Sequence, residues 1–200
     1  MTINDIATVR TCLVTTRKRK SAAGSGTNVY SLLNLKCISP DNHIDTYYLE
    51  PYEVSEKLKD DYFTQPGDIL IRLSAPYTAV VIDRTELCGL LVPSHFAIIR
   101  ADRHYVVPEY LFWTLQREKK RIEIMQNSSG STAFGTVSSG LIGSLKITLL
   151  PLDKQKIIGN LSLLSKREQE LLDKLSAEKK KYNTLLLNEI YDNMKRGNRK

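Results

Sequence analysis

From Asp153 to about Tyr191, roughly 38 positions pass without a proline, and the single glycine there, Gly159, lies near the start. Such a stretch has no residue that removes a helical hydrogen bond. Leu161, Leu164, Leu171, Leu175, Tyr182 and Leu185 recur at three–four spacing, which predicts one long helix with an apolar strip. Glu168 and Glu178 interrupt the strip, while Leu172, Leu186 and Ile190 broaden it, so the heptad pattern is imperfect. At 1.5 Å per residue this helix would reach about 57 Å. A compact domain of about 150 residues cannot readily cover that length. The helix therefore either pairs with a partner or packs wholly on its own domain. Residues 195–200 form a polar, basic tail expected to fray.

The rest of the chain has the makings of one folded domain. It belongs to a sequence of 200 residues, 42% apolar and 26% charged, which excludes a disordered polymer. The net charge is +7 and the pI about 9.2. A positive excess suits nucleic acid or an anionic membrane, or belongs to a merely basic soluble protein. Cys12, Cys37 and Cys88 are odd in number and have no Cys-x-x-Cys spacing, which argues against a disulfide framework or zinc site. No apolar run approaches the roughly 20 residues of a membrane span, and residues 1–10 lack a signal-peptide core. The expectation is a cytoplasmic protein.

Local patterns divide residues 1–151 into short elements. Thr2 and Asp5 stand in capping-box relation, predicting a short helix with Ile3, Ile6, Ala7 and Val9 as its apolar positions. Arg17-Lys18-Arg19-Lys20 and the small residues 21–26 read as a basic loop. Strands are predicted at 29–37, 69–73, 79–82, 96–100 and 145–150, with another possible at 47–49. Pro66-Gly67-Asp68 reads as a turn. Pro108 suits the first turn of a helix, extended by Leu111, Leu115, Ile122 and Met125 to near Asn127. Residues 128–143, rich in Ser, Gly and Thr, read as a loop long enough to be functional.

Catalytic patterns do not emerge. Gly130 and Gly135 have the outer spacing of a phosphate loop, but Thr136 stands where lysine is required. His43, His95 and His104 are not paired at metal-ligand spacing. His95, beside a predicted strand, reads as a hydrogen-bonded core or base-contacting residue. Pro40-Asp41 lacks a nearby Asp/Glu-x-Lys triplet to complete a nuclease metal site, and Glu118-Lys119-Lys120 reads as a solvated helix face. No Asn/Asp-Pro-Pro-aromatic tetrapeptide of an amino-methyltransferase occurs. The expectation is a chain with no catalytic residues, metal or cofactor of its own.

Several segments, taken in order, resemble one half of the specificity subunit of a Type I restriction–modification enzyme. They are Asn4-Asp5-Ile6-Ala7; residues 30–35 (Tyr-Ser-Leu-Leu-Asn-Leu); Gln65-Pro66-Gly67-Asp68-Ile69-Leu70-Ile71; Ser94-His95-Phe96-Ala97-Ile98-Ile99-Arg100; and Pro108-Glu109-Tyr110-Leu111-Phe112-Trp113. The stretch from Gly130-Ser131-Thr132 to Ile147, then Leu150-Pro151-Leu152-Asp153-Lys154-Gln155-Lys156-Ile157-Ile158, is similar to the family's junction between recognition domain and spacer helix. The family's usual subunit has two recognition domains and two long helices, where this chain has one of each.

The resemblance implies an α+β fold: a target recognition domain with a mixed, curved sheet and small helices over 1–151, then a long coiled-coil spacer or dimerisation helix and basic tail over 152–200. It also implies an antiparallel helical spacer, a methyltransferase (modification) subunit as partner and, further, a restriction or translocase subunit. Double-stranded DNA is the expected substrate surface. Phosphates would be met by Arg17, Lys18, Arg19 and Lys20, unless these form only a solvated loop. Arg72, Ser74 and Tyr77 are candidates for reading base edges, or are an ordinary strand end. Asn127, Ser128, Ser129, Ser131 and Thr132 are further polar candidates, or simply turn and cap residues. Leu161, Leu164, Leu171, Leu175, Tyr182 and Leu185 would pair two copies, so that a homodimer reads two inverted half-sites. The competing readings are a regulatory or structural protein that binds the modification subunit without reading DNA, and a small hydrolase whose site is scattered.

Overall fold

The computed structural model describes residues 1–15, 28–128 and 135–197. The chain divides into two compact units, Met1–Asn160 and Leu161–Lys200. The first unit is built on an antiparallel four-stranded sheet, in the order β1 (Ala7–Thr11), β6 (Phe96–Ala101), β4 (Ile69–Arg72) and β5 (Ala79–Val81). A separate hairpin pairs β2 (Asn28–Leu32) with β3 (Glu50–Val54). The helices are α1 (Pro108–Gln116), α2 (Glu118–Gln126), α3 (Ser139–Ser144) and α4 (Leu152–Gly197).

The central strands β4 and β5 are buried on both faces, which explains their unbroken runs of Ile, Leu and Val. Side chains alternate across a sheet. Leu70, Val80 and Ile98 join Phe96, Leu33 and Cys12 in one apolar cluster. Ile69, Ile71 and Ile99, of opposite parity, are fully buried too, and α1 packs on β5 and β6 while α3 packs on β1. A second cluster, around Leu13, Tyr52, Val54, Leu58 and Leu91, lies beneath the hairpin.

Several sequence expectations need correction. The predicted helix after Thr2 is a single 3-10 turn, Ile3–Asp5, held by the Asp5 carboxylate, which accepts from the Thr2 N–H at 2.7 Å and the Thr2 hydroxyl at 2.9 Å. The chain then becomes β1, whose β-branched Thr8, Val9 and Thr11 pair with β6 from Ala7↔Ala101 to Thr11↔Ala97. The strand expected at 29–37 stops at Leu32, because the Asn34 side chain accepts from the N–H groups of Lys36 and Cys37 and folds a 3-10 turn. Asp45 does the same for Tyr47, so 47–49 is no strand and β3 begins at Glu50.

The single helix expected from Pro108 to Asn127 is two. Arg117 adopts an extended ψ of 136° between α1 and α2. Its guanidinium lies 5.2 Å from the Trp113 ring centroid, and Gln116 Nε2 donates to the Ala79 carbonyl at 2.7 Å. Part of the expected 128–143 loop is α3, capped by the Ser138 hydroxyl. The expected strand at 145–150 makes only an isolated bridge, Thr2↔Lys146, flanked by Ile3 N–H to Leu145 O at 3.0 Å and Ile147 N–H to Met1 O at 2.8 Å.

The long helix is present and runs to Gly197, beyond the expected end near Tyr191. Its first turns belong to the first unit, where Gln155 is 1% exposed. The Gln155 carbonyl accepts from Val107 N–H at 2.9 Å, and its amide donates to Leu150 O at 2.7 Å and Tyr105 O at 3.2 Å. One side chain thus satisfies the approach to α1 and the loop before α4. Gly159 permits close contact here, since a Cβ would lie 2.9 Å from Glu109 Cβ and 3.0 Å from the Tyr110 amide nitrogen.

Candidate nucleic-acid interface

The Gly67-Asp68 turn holds one end of β4. Gly67 has φ +86°, and its N–H donates to Ile82 O at 2.9 Å. The Asp68 side chain is buried and accepts from Arg100 Nε and Nη2, both at 2.8 Å, and from Gln65 N–H at 2.8 Å. The carboxylate bonds raise the Arg100 pKa above its ordinary value. A fork of this kind fixes β4 against β6, so the opposite end of β4, at Arg72, is presented in a defined place.

Beyond Arg72 the chain turns through Ser74 and a cis Ala75-Pro76 bond to Tyr77, which has φ 55°. Arg72 N–H donates to Thr78 O at 2.9 Å, Tyr77 N–H to Ser74 O at 3.0 Å and Leu73 N–H to His95 O at 2.9 Å. Arg72 Nε also donates to Ser74 Oγ at 3.0 Å. A second segment closes on this turn: Ser74 bridges Thr136, and Val137 N–H donates to Leu73 O at 2.8 Å. The Tyr77 hydroxyl donates to Gly135 O at 2.7 Å. A Cβ on Gly135 would lie 2.9 Å from Ser128 Cβ and 3.3 Å from the Tyr77 hydroxyl, so the glycine permits three segments to meet. Between the turn and α2 lies a cleft of about 610 Å³, with Pro76 and Tyr77 on one side and Arg121, Ile122 and Met125 on the other.

The candidate residues now have definite places. Arg72 and Ser74 are half-buried at the mouth of the turn and bonded to each other. Tyr77 is 6% exposed with its hydroxyl engaged, so its expected role as a base contact gives way to positioning the turn. Asn127 Nδ2 donates to Glu123 O at 2.7 Å and Ser128 Oγ to Met125 O at 2.8 Å. These are last-turn carbonyls of α2, so both side chains cap the helix, the alternative raised from sequence. Arg17, Lys18, Arg19, Lys20, Ser129, Ser131 and Thr132 lie outside the described residues. His95 is exposed and not a core residue.

The sequence reading missed Arg121, Ile122 and Met125. It took Ile122 and Met125 as packing positions, yet they are 40% and 57% exposed in the chain. The break at Arg117 rotates α2 out of the register of α1, which no local pattern announces. Glu118-Lys119-Lys120 is not wholly solvated either: Lys120 Nζ donates to Glu123 Oε2 and to Lys146 O, both at 2.6 Å. Among the described residues, no group of His, Cys, Asp and Glu is arranged to hold a metal ion. No helix is long and apolar enough to cross a membrane.

In the second unit the six strip residues, Leu161, Leu164, Leu171, Leu175, Tyr182 and Leu185, are between 57% and 66% exposed. Contiguous apolar surface of this kind marks an interaction site.

No protein-family model matches the chain, and no curated protein matches it in sequence. Solved structures do. A chain from a structure of complex assembly and conformational transition of a type I R-M system superposes with a TM-score of 0.61 and 19% identity, over 93% of this chain and 46% of that one. The HsdS subunit from Thermoanaerobacter tengcongensis superposes with a TM-score of 0.59 and 20% identity, over the same shares. This chain therefore spans about half the length of the structures it matches, 46%. Small antiparallel sheets followed by one long helix are thus the fold of an HsdS subunit, carried here over nearly the whole chain.

Proposed function

We propose that the chain is a non-catalytic, sequence-specific DNA-recognition subunit of a Type I restriction–modification enzyme, with residues 1–151 as the reader and 152–200 as spacer helix. The observation that carries this reading is the likeness to HsdS over 93% of the chain. The chemistry is compatible with it. Arg72 stands at a strand end fixed by the Asp68–Arg100 fork, and its Nη groups have no partner among the described residues. A guanidinium so placed suits bidentate bonding to guanine. Arg121 lines the adjoining cleft, and the basic run 17–20 would add phosphate contacts.

One recognition domain reads one short half-site. Two copies joined through the exposed strip would read two inverted half-sites at fixed spacing. The expected partners are a methyltransferase subunit and, in a cleaving complex, a restriction subunit. The test is selection of bound DNA from a random pool, with and without the modification subunit. A symmetric, interrupted motif is the expected result, and absence of enrichment overturns the proposal. Arg72→Ala is expected to relax one position of that motif, by about 1–3 kcal/mol of discrimination.

A second reading draws support from the capping bonds of Asn127 and Ser128, which commit groups proposed for reading bases. In it the fold binds the modification subunit without reading DNA. Binding that is insensitive to salt would favour it, whereas each phosphate neutralised should add about 0.9 to the log–log salt slope.

A further inference from the structure

At 100° per residue, Leu161, Glu168, Leu172, Leu175, Lys179 and Leu186 of α4 fall within an arc of about 60°. All six are exposed. Two charges of opposite sign therefore sit at the middle of the apolar strip, and neither has an ion-pair partner among the described residues. Helix propensity does not require them there, and solvated charges in the seam of a helix pair must be matched or pushed apart.

We propose that the strip takes a second copy of this chain, antiparallel, in the register that places Glu168 opposite Lys179 of the partner. This rests on the homodimer proposed above and adds the register and what selects it. A two-fold axis midway between Leu172 and Leu175 makes the two residue numbers at each level sum to 347. Leu161 then meets Leu186, Leu172 meets Leu175, and Glu168 meets Lys179, each twice. In a parallel, in-register pair every residue faces its own copy, so Glu168 would face Glu168 and Lys179 would face Lys179. Sliding the antiparallel pair by one residue, to a sum of 346, brings Glu168 against Glu178. Both alternatives juxtapose like charges close to apolar surface, where screening is weak. Charges at such seams choose register and orientation at small cost in stability.

The test uses the full-length chain and its Glu168→Lys, Lys179→Glu and double variants, in sedimentation equilibrium at low salt. The expected result is a wild-type dimer, a dissociation constant raised at least tenfold by either single substitution, and near wild-type pairing in the double variant. On a Cys88→Ser background, Leu172→Cys chains should oxidise to a dimer with Leu175→Cys chains more readily than with themselves. If the wild-type dimer forms but single substitutions leave it unchanged, or Leu172→Cys prefers itself, the register is overturned while the homodimer stands. If the wild-type chain stays monomeric at every concentration, the homodimer and this register fall together.

Discussion

The two units solve the burial problem in opposite ways. In Met1–Asn160, apolar side chains from distant strands close on each other, and buried polar groups such as Asp68 and Gln155 have several partners each. In Leu161–Lys200, a single helix carries leucines that are more than half exposed. An amphipathic helix draws most of its stability from packing its apolar face. The first unit has the means of holding itself together, while the second presents a surface whose burial requires another molecule.

That contrast can be broken by mutation. Phe96→Ala, in a site 1% exposed, should cost about 3–5 kcal/mol, read by urea unfolding at any protein concentration. Leu171→Ala, 57% exposed, should cost under about 0.5 kcal/mol in dilute protein and show its loss only as concentration rises into the dimer range. Equal costs at high dilution would mean that the helix already buries its strip. Asp68→Ala strips the half-buried Arg100 guanidinium of its carboxylate, with an expected loss of about 3 kcal/mol. Gln155→Ala leaves the Val107 N–H and two carbonyls short of a partner. It should cost about 1–3 kcal/mol without changing the helix content of residues beyond 161, as followed by circular dichroism.

The smallest effect concerns the thiols. Burial pushes Cys12 from its ordinary value of 9.0 up to about 12 and raises Cys37 as well. At pH 8 neither presents appreciable thiolate, so a thiol reagent should label the half-buried Cys88 first and the other two only on unfolding. The folded chain keeps a proton that the unfolded chain releases. The contribution of neutral Cys12 to stability is therefore complete below pH 9 and declines as pH rises toward 12.

Much of this architecture was legible in the residues. The proline-free run, the leucine spacing, Pro66-Gly67-Asp68 and the Val/Ile runs of β4, β5 and β6 act within a few positions of themselves, so local rules suffice. The same rules identified Pro108 as a helix start. Where the reading went astray, the deciding partner lay far along the chain. Thr2 and Asp5 do form a local cap, yet residues 7–11 are a strand because β6 offers them a ladder. Residues 145–150 have a strand's composition but meet only the short run from Met1 to Ile3.

By itself the sequence determined one long amphipathic helix, a basic chain and a set of short strands, because periodicity and backbone preference are properties of neighbouring residues. The tertiary structure alone decided that Ser74, Tyr77, Ser128 and Gly135 meet in one place, that Tyr77 is buried there, and that Ile122 and Met125 face a cleft. Those outcomes depend on hydrogen bonds and contacts between segments far apart in the chain, which no short window of residues contains.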